Sequence, residues 1–175
     1  MLTGEKVRLR ELRRDDIDEI LRWINDPEVT GYLSMYRPVT RMAEEKWIDE
    51  ISASDRDIVF IMETLDGEYL GNIGLHSIDH VHQHAEMGIV IGRKDRWGQG
   101  YGSDAVRTLL RYGFNTLNLN KVWLRVQAGN QRAIRSYRSC GFVTEGRRRQ
   151  HVFSDGRFHD EDIMSVLRDE WQERE

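Results

Sequence analysis

Three glycines at alternate positions, Gly98, Gly100 and Gly102, lie in the stretch RWGQGYGSDA at residues 96–105. The residues that follow, VRTLLRYGFNTL, carry apolar side chains at helical spacing. A glycine-rich turn feeding a helix start suits an anion. The first helical turn leaves N–H groups without internal partners, and the helix dipole favours negative charge there. Glycines let a phosphate reach the main chain with no Cβ in the way. The stretch is not a P-loop, which needs a Lys followed by Ser or Thr after its last glycine; Gly102 is followed by Ser103-Asp104. It also lacks the G-x-G-x-x-G spacing of a dinucleotide fingerprint. Taken alone, a tight turn with no ligand accounts for it equally well.

Other residues of chemical interest are weaker signals. His80, His82 and His84 alternate, so one strand face could present all three to zinc or nickel, but no second ligand cluster lies nearby and a hairpin turn is expected within the stretch. Cys140 has no neighbouring His in sequence to activate it and reads as a small packed residue. The segment NQRAIRSYRSCGF, 130–142, is more informative. It opens on a good N-cap residue, Asn130, places Ala133, Ile134 and Tyr137 on one side, and stops at Gly141 before Phe142 starts a strand.

The elements that must position these residues can be read from periodicity. Residues 6–12 alternate as a strand, and a helix runs from Asp15 to Asn25, with Pro27 just past its end. A second helix follows Thr40. Residues 57–64 are a strand, turned by Asp66-Gly67 into EYLGNIGLHSI. Residues 85–92 form another strand, with Gly88 marking a bulge or a close approach. The glycine loop and a helix to about Leu117 come next, then a strand at 121–126 and a helix from Asn130 to about Cys140. A hairpin turning at Ser154-Asp155-Gly156 ends the chain. The order implies an α/β or α+β fold, with a mostly antiparallel mixed sheet flanked by about four helices.

Totals narrow the function class. The 175 residues show no repeat or linker and read as a single domain, 1–175. No apolar run approaches the roughly 20 residues of a membrane span, and the charged start does not read as a signal peptide. A lone cysteine excludes an intrachain disulfide and points to a reducing cytoplasm. A net charge of −4 disfavours nucleic acid as a partner.

Together, the glycine loop and the 130–142 segment resemble the Gcn5-related N-acetyltransferase (GNAT) superfamily. Its loop [QR]-x-x-G-x-[GA] falls on Trp97-Gly98-Gln99-Gly100-Tyr101-Gly102, with Trp97 in place of the usual Gln or Arg. Its later motif N-x-x-[AS]-x-x-x-Y-x-x-x-G-F is matched by Asn130, Ala133, Tyr137, Gly141 and Phe142. The likeness is nearest to the branch of ribosomal-protein N-terminal and spermidine/spermine acetyltransferases. It implies a GNAT-type domain with a splayed cofactor strand and acetyl-CoA as cosubstrate, with no metal.

The resemblance places acetyl-CoA on the loop from Trp97 to Ser103, on Asn130 and Ala133, and along Ile89, Val90 and Ile91, whose backbone would pair with the pantetheine and face the acetyl oxygen. It gives Tyr137 the role of acid for the leaving thiolate; the competing account is a core aromatic. An alkyl ammonium must lose a proton before it attacks, and Glu86 is the candidate carboxylate, weighed evenly against a solvated strand-end glutamate. The acceptor is expected to be a small-molecule amine or a protein N-terminus, and a homodimer or larger homo-oligomer is an open expectation. Acidic residues on the first two helices (Asp15, Asp16, Asp18, Glu19, Glu44, Glu45, Asp49, Glu50) would attract a polyamine or simply face solvent, whereas Arg37 and Arg41 would favour an acidic acceptor. A catalytically silent acetyl-CoA sensor is the competing class; an intact Tyr137 and Asn130 tell against it.

Overall fold

The computed structural model describes residues 1–33 and 35–171. The chain runs β1 (Leu2–Thr3), β2 (Val7–Glu11), α1 (Ile17–Ile24), α2 (Pro27–Thr30), α3 (Arg41–Ala53), β3 (Ile58–Thr64), β4 (Tyr69–Asp79) and β5 (His84–Ile91). It continues through α4 (Tyr101–Asn115), β6 (Lys121–Gln127), α5 (Gln131–Ser139), β7 (Val143–Ser154) and β8 (Arg157–Leu167). One eight-stranded sheet has the order β1-β2-β3-β4-β5-β6-β8-β7. Every neighbouring pair is antiparallel except β5–β6. Among the described residues, no helix is long and apolar enough to cross a membrane.

Most expected elements appear within a residue or two. Among the described residues five α-helices form where about four helices were expected, because Asp26 caps and Pro27 opens the short α2: the proline that ends α1 also starts a helix, its missing N–H costing nothing at that position. Gly88 makes no bulge; it pairs in register with Gly74.

Strand alternation sends side chains to two layers. On one face, Val7, Leu9, Ile73, Leu75, Met87, Val122, Leu124 and Val126 pack with Ala105, Val106, Leu109 and Leu110 of α4 and Ile134 of α5. On the other, Ile20 and Trp23 of α1 cover Ile61, with Val90 alongside.

Two buried carboxylates behave differently. Asp104, in the first turn of α4, is 3% exposed and accepts N–H bonds from Glu5 (3.2 Å), Lys6 (2.8 Å) and Val7 (3.0 Å). The Lys6 ammonium also donates to the Gln99 carbonyl at 3.0 Å, so the turn before β2 grips both the loop and the helix it feeds. Glu44 of α3 is 6% exposed and, among the described residues, its carboxyl has no hydrogen-bond or ion-pair partner. It borders a small cavity with Trp23, Trp47 and Asn72. Burial pushes its carboxyl above the ordinary value. The other acidic positions of the early helices mostly lie outside, several in exposed ion pairs such as Arg14–Asp49, Arg41–Asp18 and Lys46–Glu50. Asp16 is the buried exception, held by Arg10 at 2.7 Å and by the Arg13 N–H.

Asp104→Ala removes a charged acceptor and leaves buried N–H groups unpaired, so unfolding free energy should fall by about 3 kcal/mol in denaturant titration. Glu44→Gln should act oppositely at neutral pH. With a folded pKa raised above its unfolded value, ionised Glu44 destabilises the fold, and the penalty is relieved as pH falls. Melting curves should therefore show Glu44→Gln more stable than the parent at pH 8, the gap closing toward pH 4.5.

Candidate functional site

β5 and β6 pair only at His84↔Lys121, Ala85↔Val122 and Glu86↔Trp123, then part. Among the described residues the β6-facing edge of β5 has no strand partner beyond Glu86, and a cleft of about 960 Å³ opens at the split. Because the gap interrupts the sheet, residues from both faces reach it. From the α4–α5 face come Ile89, Ile91, Ser103, Val106, Ala133 and Tyr137; from the other come Glu86, Gly88, Val90, Arg125 and Gln127.

The glycine loop forms one end. Gly98 (φ +74°) and Gly100 (φ +86°) occupy left-handed conformations that favour glycine, and a Cβ at Gly98 would meet no protein atom within 4 Å. Gly102 serves another purpose, since a Cβ there would come within 3.1 Å of Ile91; its absence lets the first turn of α4 close onto the end of β5. Gly100 caps α4 without a side-chain hydrogen bond, leaving the first-turn N–H groups for an anion. Trp97, which departs from the expected Gln or Arg, donates its indole N–H to the Ile91 carbonyl at 2.9 Å. The Arg132 guanidinium lies 4.1 Å over its ring, so the cation missing from position 97 arrives from α5 instead. Arg132 was not anticipated from sequence, where its only signal is its place in the first turn of α5.

Of the residues expected on the cofactor, Ile89, Val90, Ile91, Trp97, Gly98, Gly100, Gly102, Ser103, Asn130, Ala133 and Tyr137 line the cleft. Gln99 and Tyr101 do not: the Gln99 amide donates to the Asp95 carbonyl, and the Tyr101 ring packs on the core beneath Lys6.

α5 is fastened to the start of α4. The Ser103 and Ser136 hydroxyls are 2.8 Å apart, and the Cys140 thiol donates to the Ser103 carbonyl at 3.5 Å. Burial pushes that thiol up, as suits a packed residue. Asn130 caps α5 by accepting the Ala133 N–H at 3.2 Å. One turn on, Tyr137 stacks obliquely against Phe142 and its ring joins the core. Its hydroxyl has no hydrogen-bond partner among the described residues, and burial, with Cys140 nearby, pushes its pKa up to about 12. The phenol therefore stays protonated at physiological pH.

On the opposite face, Glu86 is bound rather than free: its Oε1 accepts from the Arg125 guanidinium at 2.6 Å. Next along β6, Gln127 is 5% exposed and its amide Nε2 is buried without a protein partner among the described residues. Across the ladder, Glu161 of β8 is buried, paired with Arg148 at 3.2 Å. Arg125, Gln127 and Glu161 were not anticipated as cleft residues. The alternation of KVWLRVQ does set Arg125 and Gln127 on the face away from Val122, Leu124 and Val126, but only the parting of the strands brings them to the site. At the β4–β5 turn His80 meets the Asp55 carbonyl, while the His82 and His84 rings stack. Among the described residues, no group of three His, Cys, Asp or Glu side chains is placed to hold a metal.

The acetyltransferase (GNAT) domain family model matches residues 6–143. An uncharacterized N-acetyltransferase of Bacillus licheniformis is 32% identical, with 97% of each chain aligned. The spermidine N(1)-acetyltransferase of Escherichia coli K12 is 29% identical over 98% of this chain and 91% of its own. The crystal structure of spermidine N-acetyltransferase from Vibrio cholerae in complex with CoA and spermine superposes with a TM-score of 0.89 at 27% identity, covering 94% of this chain and 96% of that one. By the match of the family model and by the identity to the Bacillus relative, the chain belongs to the GNAT family of acetyltransferases.

Proposed function

We propose that the chain, acting as one domain over residues 1–175, transfers an acetyl group from acetyl-CoA directly to a small primary amine, polyamines included. The observation that carries this reading is the cleft at the β5–β6 split, which joins a glycine-lined anion seat and a protonated phenol on one side to a carboxylate-bearing face on the other.

In this proposal, the N–H groups opening α4 and the Arg132 guanidinium take the coenzyme's phosphates. The free edge of β5 at Ile89, Val90 and Ile91 pairs with the pantetheine arm and offers an N–H to the acetyl oxygen as it gains charge. Asn130 bonds the pantetheine while capping its helix. Tyr137 donates its proton to the departing sulfur; a phenol pushed to about 12 by burial is reliably protonated to do so. Glu86 draws the ammonium into the acceptor face through its negative charge. Its partner Arg125 and the Arg148–Glu161 pair moderate the negative charge there, which suits an amine of modest charge as well as a polyamine. The single buried Cys140 supports a setting in a reducing cytoplasm.

Thiol release from acetyl-CoA, followed with spermidine, diamines, amino sugars, amino-acid amides and N-terminal peptides, tests the reading. Turnover with a small amine supports it, turnover confined to peptides points to N-terminal acetylation, and binding of acetyl-CoA without any turnover overturns it in favour of a sensor. Tyr137→Phe should lower kcat by roughly 100-fold or more while calorimetry shows coenzyme binding retained. Gly100→Val places a branched side chain at a left-handed residue in the anion seat, and should weaken CoA binding by roughly 100-fold, about 2.8 kcal/mol, with helix content unchanged by circular dichroism.

A further inference from the structure

The GLHS stretch of β4 carries a histidine that the proposed chemistry leaves unused. His76 is the cross-strand partner of Glu86, so both side chains leave the sheet on the acceptor face. Its imidazole lies over Gly74 and Gly88, a pair of glycines facing each other across β4 and β5. The ring's Nε2 is 3.2 Å from where a Cβ on Gly74 would stand and 3.5 Å from the same point on Gly88. Gly88 lines the cleft, and the space its absent side chain leaves is walled by His76 Nε2.

The ring is braced from behind. Its Nδ1 is 3.3 Å from Asp57 Oδ1, which also accepts the Ser77 N–H at 3.1 Å; Asp57 Oδ2 accepts the Ser54 hydroxyl at 2.7 Å. Burial alone would push the Asp57 carboxyl up, yet these hydrogen bonds hold it below the usual carboxylate range. A carboxylate at Nδ1 fixes the tautomer with its proton there and leaves Nε2 with a free lone pair. Nε2 has no protein partner among the described residues, and the side chain is 34% exposed. Ser77, held at φ +49°, starts the irregularity in β4 that turns the chain toward Asp57. The charged groups facing His76 are Asp57 from the α3–β3 turn and Glu86 from β5, with Arg125 of β6 behind Glu86; Arg56 is turned to the Ile78 carbonyl.

We propose that His76, oriented by Asp57, accepts the proton that the acceptor ammonium sheds before attack, while Glu86 remains the anion that attracts the cation. The inference rests on the amine-acetylating reading of the site. The N–H bond of the ammonium breaks, its electron pair stays on nitrogen, and the proton bonds to Nε2. The freed pair then attacks the thioester carbon, the C–S bond breaks, and sulfur takes the Tyr137 proton. The nitrogen loses two protons in all: one restores Tyr137, and the other leaves His76 for solvent, so the transfer releases one proton overall. An imidazole nitrogen with a free lone pair can take up a proton and pass it on to solvent, as such collection requires.

The test uses the full-length enzyme with acetyl-CoA and spermidine, or, if spermidine is not a substrate, the small amine of the panel above with the highest kcat/KM. His76→Gln should lower kcat at pH 7 by roughly 30-fold, and His76→Asn, which keeps a donor near Asp57, should do the same. Both should approach wild-type kcat, within about threefold, near pH 10, where the amine loses its proton unaided. Asp57→Asn should give a smaller loss with the acid limb of the pH profile displaced, whereas Glu86→Gln should act chiefly on KM. Wild-type kcat at pH 7 in either His76 variant overturns the proposal, as does a loss that persists unchanged at pH 10 in a variant with parental melting temperature and CoA affinity. Failure of the wild type to acetylate any amine would instead sink the underlying acetyltransferase reading, and this proposal with it.

Discussion

A parallel ladder that stops after three residue pairs governs this molecule. Were β5 and β6 to stay paired beyond Glu86 and Trp123, Ile89–Ile91 would spend their hydrogen-bonding edge on β6 and the sheet would separate its two faces completely. Their divergence leaves an unpaired strand edge that a ligand's amide groups can satisfy, and it opens a passage through a sheet that is otherwise closed. Reagents held on opposite faces can then meet in the gap. Buried unpaired edges are costly, so the surrounding structure has to hold the strands apart.

That restraint comes from the helices bordering the gap. Asp104 accepts three N–H bonds from the turn before β2, and Lys6 reaches back to the Gln99 carbonyl. The start of α4 is thereby anchored from across the sheet, far along the chain. The Ser103–Ser136 and Cys140–Ser103 bonds then fix α5 to that anchored end, and the Trp97 indole ties the loop to the last residue of β5. The glycine loop and Tyr137 are thus positioned by one connected set of polar contacts around a largely apolar core.

The acceptor face is organised by charge pairing more than by apolar packing. Arg125 binds Glu86 and Arg148 binds Glu161, so these carboxylates carry a partner. Among the described residues, the Gln127 amide nitrogen and the exposed Nε2 of His76 are unpartnered polar atoms in this neighbourhood. Groups left without partners beside a cleft are the ones available to a substrate, and they differ in kind from the hydrophobic surface that supports the coenzyme side.

How much of this was legible beforehand follows from the range of each interaction. Periodicity and turn chemistry act over a few residues, so α1, α3, α4, α5 and the β7–β8 hairpin could be read directly, and the loop and the Asn130–Tyr137 helix announced both family and chemistry. Even so, the three loop glycines looked alike in sequence, while the fold uses Gly98 and Gly100 for left-handed backbone and Gly102 for a close approach to Ile91. Asp104 read as part of a helix start and proves to be a buried acceptor whose partners lie nearly a hundred residues away. Glu86 read as a free carboxylate, because nothing local reveals that β6 brings Arg125 beside it. Local spacing therefore determined the elements and the class of chemistry. Strand order and register, which depend on contacts between distant segments, decided which charges were already paired and which side chains shared the gap.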